Sequence, residues 1–111
     1  MAKVYTNCPV EYTASILSNK WKCLILRDLI EGTKRFNELN KSIIGISAKV
    51  LTENLKELED LGIIQRTSYE GNTLHVEYCL THLGDTLQPI FQELIMWGLN
   101  YSQERRKPSQ T

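Results

Sequence analysis

A chain of 111 residues with 41% hydrophobic and 23% charged content has the size and composition of one globular domain with a modest core. No apolar run approaches the roughly 20 residues that span a bilayer, and Met1-Ala2-Lys3-Val4-Tyr5 lacks the apolar stretch of a secretion signal, so the expected location is the cytoplasm, with no membrane partner. The 13 basic and 13 acidic side chains cancel, which weakens a case for nucleic acid, and three widely spaced cysteines (Cys8, Cys23 and Cys79) exclude a disulfide framework.

In chain order, Asn7-Cys8-Pro9 reads as a helix start, with Asn7 or Cys8 at the cap and Pro9 in the first turn. Val10, Thr13, Ile16 and Leu17 then recur at helical spacing, and Ser18-Asn19 breaks this helix and caps the next. Trp21, Leu24, Ile25, Leu29 and Ile30, broadened by Cys23 and Leu26, give the second helix an apolar girth that places it at the centre of the core, with Gly32 at its end. Lys34-Arg35-Phe36 fits a short strand leading into a third helix from Asn37 to Ser42, with Phe36, Leu39 and Ile43 inward. After the turn at Gly45-Ile46, Ser47 caps a fourth helix of about four turns that ends at Gly62. Its expected inward stripe is Ala48, Leu51, Leu55 and Leu58, and its opposite face carries Lys49, Thr52, Glu53, Lys56 and Asp60.

The period then changes from helical to two. Residues 63–69, with β-branched Ile63, Ile64 and Thr67, read as a strand, residues 74–80 alternate with Val76, Tyr78 and Leu80 on one face, and Glu70-Gly71-Asn72-Thr73 reads as a hairpin tip. Thr81 is expected to cap one long final helix, bent locally at Pro89. The expected core spans about 8–101 of a single domain covering 1–111, with 102–111 a polar, frayed tail.

Helix, helix, helix, helix, hairpin, helix is the order of a winged helix-turn-helix, an α+β fold that is mostly helical with a two-stranded wing. Its working part is a helix that packs by one narrow stripe and leaves a polar face free for a major groove, and residues 47–61 meet that requirement. The N-terminal turn of such a helix points amides and short hydroxyls at DNA. Ser47, Lys49, Val50, Thr52, Glu53 and Lys56 are therefore the candidate readers, with Lys49 suited to a guanine edge, Glu53 to a cytosine amine and Val50 to a thymine methyl. Arg35 and Lys41 flank the third helix and suit phosphates, and the wing residues Asn72, Thr73 and His75 suit the backbone or the minor groove. Within residues 20–49, Lys20, Lys22, Arg27, Lys34, Arg35, Lys41 and Lys49 outnumber Asp28, Glu31 and Glu38, a local positive excess despite zero net charge. A solvated polar helix face remains the plain alternative, and a winged helix that binds only protein partners is the rival function.

Specific blocks add to this reading. Cys8-Pro9-Val10-Glu11, Lys20-Trp21-Lys22, Arg35-Phe36-Asn37-Glu38-Leu39, Gly45-Ile46-Ser47, Leu51-Thr52 and Leu55-Lys56-Glu57-Leu58-Glu59 stand in order along the chain. They are followed by Leu61-Gly62-Ile63-Ile64, Val76-Glu77-Tyr78, Leu80-Thr81-His82-Leu83-Gly84 and Trp97-Gly98. Over about residues 8–98 the series resembles the HxlR family of winged-helix transcriptional regulators. The resemblance implies a bacterial or archaeal homodimer on a near-palindromic double-stranded DNA operator, with helices at both ends of the chain forming the dimer interface. The last helix supports this by itself, because Leu87, Ile90, Phe91, Leu94, Trp97 and Tyr101 surround more of it than one small core covers.

Some members of that family sense oxidants or electrophiles through the cysteine that corresponds to Cys8. A thiol at a helix N-terminus lies at the positive end of the helix dipole, which favours the reactive thiolate; the plain alternative is a small capping residue. Cys23 and Cys79 read as small core residues. His75, Cys79 and His82 match no metal-site spacing, so neither metal nor cofactor is expected. The chain has no phosphate loop, no paired carboxylates and no nucleophile with an orienting base, which argues against an enzyme. No convergent polar set identifies a small-molecule effector.

Overall fold

The computed structural model of the chain describes residues 8–69 and 75–106. Helix α1 (Pro9–Leu17) starts at Cys8, whose carbonyl accepts from the Tyr12 amide at 3.0 Å, and none of its residues is buried. Helix α2 (Lys20–Glu31) is capped by Asn19, whose side-chain oxygen accepts from the Trp21 amide at 2.7 Å. Ile25, Leu26 and Leu29 from α2 are enclosed at the centre of the core, as the apolar girth of this segment requires. After β1 (Lys34–Arg35), helix α3 starts at Phe36 and runs to Ser42, one residue earlier than expected. The reason is Glu38, whose Oε1 accepts from the Arg35 amide at 2.7 Å and makes Arg35 the cap. Leu39 and Ile43 point into the core.

Ser47 caps α4 (Ala48–Asp60), its hydroxyl accepting from the Val50 amide at 3.1 Å. The buried stripe is Leu51, Asn54, Leu55 and Leu58. Ala48, expected inward, is exposed because the first turn of α4 stands clear of the core. Asn54 takes a buried place instead, tolerated because its amide nitrogen donates to the Val50 carbonyl at 2.8 Å. The helix ends in a full Schellman closure: Ile63 N–H bonds Leu58 O at 3.0 Å and Gly62 N–H bonds Glu59 O at 2.9 Å. Gly62 has φ +78°, a left-handed conformation that a Cβ would strain.

Strands β2 (Ile64–Ser68) and β3 (Val76–Leu80) form the antiparallel ribbon of the wing, paired from Ile64 with Leu80 to Ser68 with Val76. The sheet has three strands rather than two: β1 pairs with β3, Lys34 opposite Tyr78 and Arg35 opposite Glu77, giving the order β1-β3-β2. Alternation turns Ile64 and Tyr78 into the core and puts Glu77 and Cys79 on the other face.

The C-terminal region departs most from expectation. Thr81 caps only a single turn, α5 (His82–Asp85), by accepting from the Gly84 amide at 3.1 Å. A separate helix, α6 (Gln88–Arg106), follows, and Pro89 lies in its first turn. There the missing N–H has no intrahelical partner to lose, so Pro89 starts the helix instead of bending it. Because α6 continues to Arg106, residues 102–106 are helix and not frayed tail. Among the described residues, no helix is long and apolar enough to cross a membrane.

Candidate nucleic-acid interface

The buried stripe of α4 fixes which side chains its other face presents. Lys49, Thr52, Glu53 and Lys56 are exposed on that face, and the Thr52 hydroxyl donates to the Ala48 carbonyl at 2.8 Å. Ser47 is exposed at the helix start; its oxygen is engaged by the cap, which leaves its hydrogen for an outside acceptor. Val50 differs from these residues in being half-buried, with part of its side chain packed against the core.

Several of the cations in residues 20–49 are held within the protein, one of them by an acid from outside that stretch. Lys22 is buried in α2 and donates to Oε1 of Glu57 on α4. That hydrogen bond and the ammonium charge hold the Glu57 carboxyl below the usual carboxylate range. Arg27 bonds Asp28 at 3.0 Å, and Lys34 lies 3.4 Å from Glu31. Lys20 rests over the Trp21 ring at 4.9 Å. Among the described residues Lys41 and Lys49 have no ion pair, and with Arg35 they concentrate positive charge at the ends of α3 and at the start of α4. Glu57 is thus part of the scaffold and not one of the free acids of the outward face.

The structure adds one residue that the sequence reading passed over. Arg66 of β2 shares a polar cleft of about 290 Å³ with Thr52, Lys56, Glu59 and Tyr78, between the wing and the outward face of α4. Alternation alone puts Arg66 on the face of Ile64, and only the pairing of Arg66 with Tyr78 beside α4 shows that this edge borders the candidate groove-reading helix. At the outer end of the ribbon, His75 Nε2 lies 2.7 Å from Glu77 Oε2, so this ring is held by the protein. Asn72 and Thr73 lie outside the described residues.

The terminal helices expose apolar side chains. Ile90, Leu94, Trp97 and Tyr101 are exposed along α6, with Trp97 and Tyr101 stacked at 5.1 Å. Phe91 and Leu87, grouped with them from the sequence, differ in that Phe91 is buried and Leu87 half-buried against the core, which ties the start of α6 to the rest of the chain. Pro9, Val10, Thr13, Ala14 and Leu17 line an apolar hollow of about 450 Å³ on α1. Cys8 is exposed at the start of that helix. Cys23 and Cys79 are half-buried; the Cys23 thiol donates to the Leu17 carbonyl, and burial pushes its pKa up. Among the described residues no three His, Cys, Asp or Glu side chains converge on a possible metal position.

The sequence matches the HxlR-like helix-turn-helix family over residues 16–106. The chain belongs to this family. The HTH-type transcriptional regulator YdeP of Bacillus subtilis is 43% identical over 97 residues, covering 87% of this chain and 76% of YdeP. The structure of the redox regulator HypR in its reduced form superposes with a TM-score of 0.80 at 40% identity, covering 84% of this chain and 92% of that one. The regulator YodB of Bacillus subtilis, solved in reduced form, superposes at 0.71 with 41% identity, covering 83% of this chain and 91% of YodB, and has also been solved with a quinone bound. The HxlR-like chain is a winged helix-turn-helix of a transcriptional regulator family, with α3 and α4 as the helix pair and β2–β3 as the wing.

Proposed function

We propose that this HxlR-like protein is a cytoplasmic regulator that binds a near-palindromic duplex operator as a homodimer. The first turns of α4, from Ser47 to Lys56, enter the major groove, and the two copies of α4 lie about 34 Å apart, one turn of DNA. Arg35, Lys41 and Arg66 hold phosphates on either side, and the wing follows the backbone. The observation that carries this reading is the exposed start of α4, where Lys49, Thr52, Glu53 and Lys56 stand clear of the core beside a ribbon that contributes Arg66. The apolar surfaces of α1 and α6 support a second copy as the partner.

Two substitutions test the division of labour. Lys49→Ala is expected to cost about 1–3 kcal/mol on the matched site and to relax preference at one base position. Arg35→Ala is expected to weaken binding to all sequences alike and to lower the salt slope by about 2, one contact being lost in each protomer. Equal behaviour of the two variants on matched and mismatched duplexes would contradict the assignment.

Cys8 is the proposed sensor. Its exposure at the start of α1, next to the hollow that begins at Pro9, supports this role, as do the redox regulator HypR and the quinone-bound form of YodB among the relatives. With a quinone the thiolate forms an S–C bond to a ring carbon, the electron pair moves to the ring oxygen, and that oxygen takes up a proton. Cys8→Ser is expected to bind DNA normally and to ignore added quinone; a response equal to that of the parent chain would remove Cys8 from the mechanism.

A further inference from the structure

Glu77 is an acid on the open face of a ribbon read here as DNA-facing, where a bare carboxylate repels phosphate. Its two oxygens are each occupied. The Tyr69 hydroxyl donates to Oε1 at 2.9 Å, and the His75 ring meets Oε2 at 2.7 Å. Tyr69 follows β2 and His75 precedes β3, so one side chain ties together the two positions that bracket residues 70–74. The tie is reinforced by a backbone bond from Tyr69 N–H to the His75 carbonyl at 3.1 Å and by ring contact at 4.5 Å between centroids. Across the sheet, Glu77 is paired with Arg35 of β1 and Thr67 of β2. The hydrogen bonds from His75 and Tyr69 and the nearby Arg35 charge hold its carboxyl below the usual range, and the carboxylate in turn raises the Tyr69 hydroxyl.

We propose that Glu77 is the positioning residue of the wing: its carboxylate locks Tyr69 to His75 and sets where the wing and the neighbouring Arg35 meet the DNA backbone. The proposal rests on the DNA-binding reading above and adds a residue that itself touches no DNA. Accepting a bond at each oxygen disperses the carboxylate charge, which reduces repulsion of phosphate. Fixing both ends of the hairpin in advance removes an ordering cost that a loose wing meets on binding.

The probe is a duplex selected from a random-sequence library by the wild-type chain, titrated by fluorescence anisotropy at several salt concentrations, with thermal melting of every variant. Glu77→Ala is expected to bind about tenfold more weakly, with a salt slope lower by about 2, because a wing contact is lost in each protomer. Glu77→Gln keeps the shape and one acceptor and recovers part of the affinity. Tyr69→Phe weakens binding, and the double variant Tyr69→Phe/Glu77→Ala is no weaker than Glu77→Ala alone, since the two residues act through one bond. A merely structural role would lower melting temperature without altering the salt slope or producing this non-additivity. If Glu77→Ala does not fold, Tyr69→Phe and Glu77→Gln decide: weaker binding with unchanged melting supports the proposal, and wild-type binding by both overturns it. A wild-type chain that binds no duplex at low salt overturns the DNA reading and this proposal together, whereas wild-type binding with unaffected variants overturns this proposal alone.

Discussion

Lys22 illustrates how much a single side chain conceals at the level of sequence. It counts toward the positive excess of residues 20–49, yet it is buried and donates to Glu57 across the α2–α4 packing. Its ammonium therefore holds α4 on the core. Glu57→Gln leaves that ammonium with a neutral partner and is expected to destabilise the fold by about 1–2 kcal/mol, a figure kept small because Glu57 is 41% exposed. The pH dependence follows from the lowered Glu57 carboxyl. Its stabilisation is fully present above the ordinary carboxylate value of about 4.3 and is lost as pH falls through the lowered folded value. Urea midpoints measured as the pH is lowered should therefore fall for the parent chain and fall less for Glu57→Gln. Parallel curves would show that the pair contributes nothing to acid sensitivity.

Among the elements, the turn α5 shows a steric requirement at one glycine. Gly84 lies so close to the end of α4 that a Cβ there would stand 2.2 Å from the Ile63 carbonyl oxygen and 3.1 Å from the Leu80 side chain. Thr81 reinforces the same junction, its hydroxyl donating to the Gly62 carbonyl at 2.6 Å while its amide donates to Ile63 O at 3.0 Å. Gly84→Ala is expected to destabilise by at least about 2 kcal/mol, because backbone must move to relieve the clash. Unfolding at wild-type urea concentration would contradict this packing. Caps and stops were legible in the sequence because they are local: Asn19, Ser47, Gly62 and Thr81 act on amides and carbonyls within a few residues. The buried Asn54, the ion pair of Lys22 and the place of Arg66 beside α4 were not, because each depends on which element lies across from it. Pro89 reads as a mid-helix bend for a related reason. The apolar spacing from Leu83 to Tyr101 runs on through a break that only the packing of Gly84 and Phe91 defines.

For the whole molecule, α6 is the element that its own core does not account for. Its 19 residues span about 28 Å, and Phe91 is its one buried side chain among the described residues. An exposed apolar row of this length is costly to leave in water, and in the proposed homodimer a second copy covers it. Trp97→Asp is expected to give a folded monomer by light scattering. It should also bind the operator more weakly, because each monomer reaches only one half-site. A dimer that survives this change would place the interface elsewhere. The central claim is narrower: α4 reads DNA while flanking cations hold phosphates. Titration of the wild-type chain against a selected operator duplex over a range of salt tests it most directly. Arg35, Lys41 and Arg66 from two protomers amount to about six phosphate contacts, so affinity should fall about a thousandfold between about 50 and 200 mM salt while the preference for the operator over scrambled DNA persists. No binding at low salt, or binding without sequence preference, would contradict the claim.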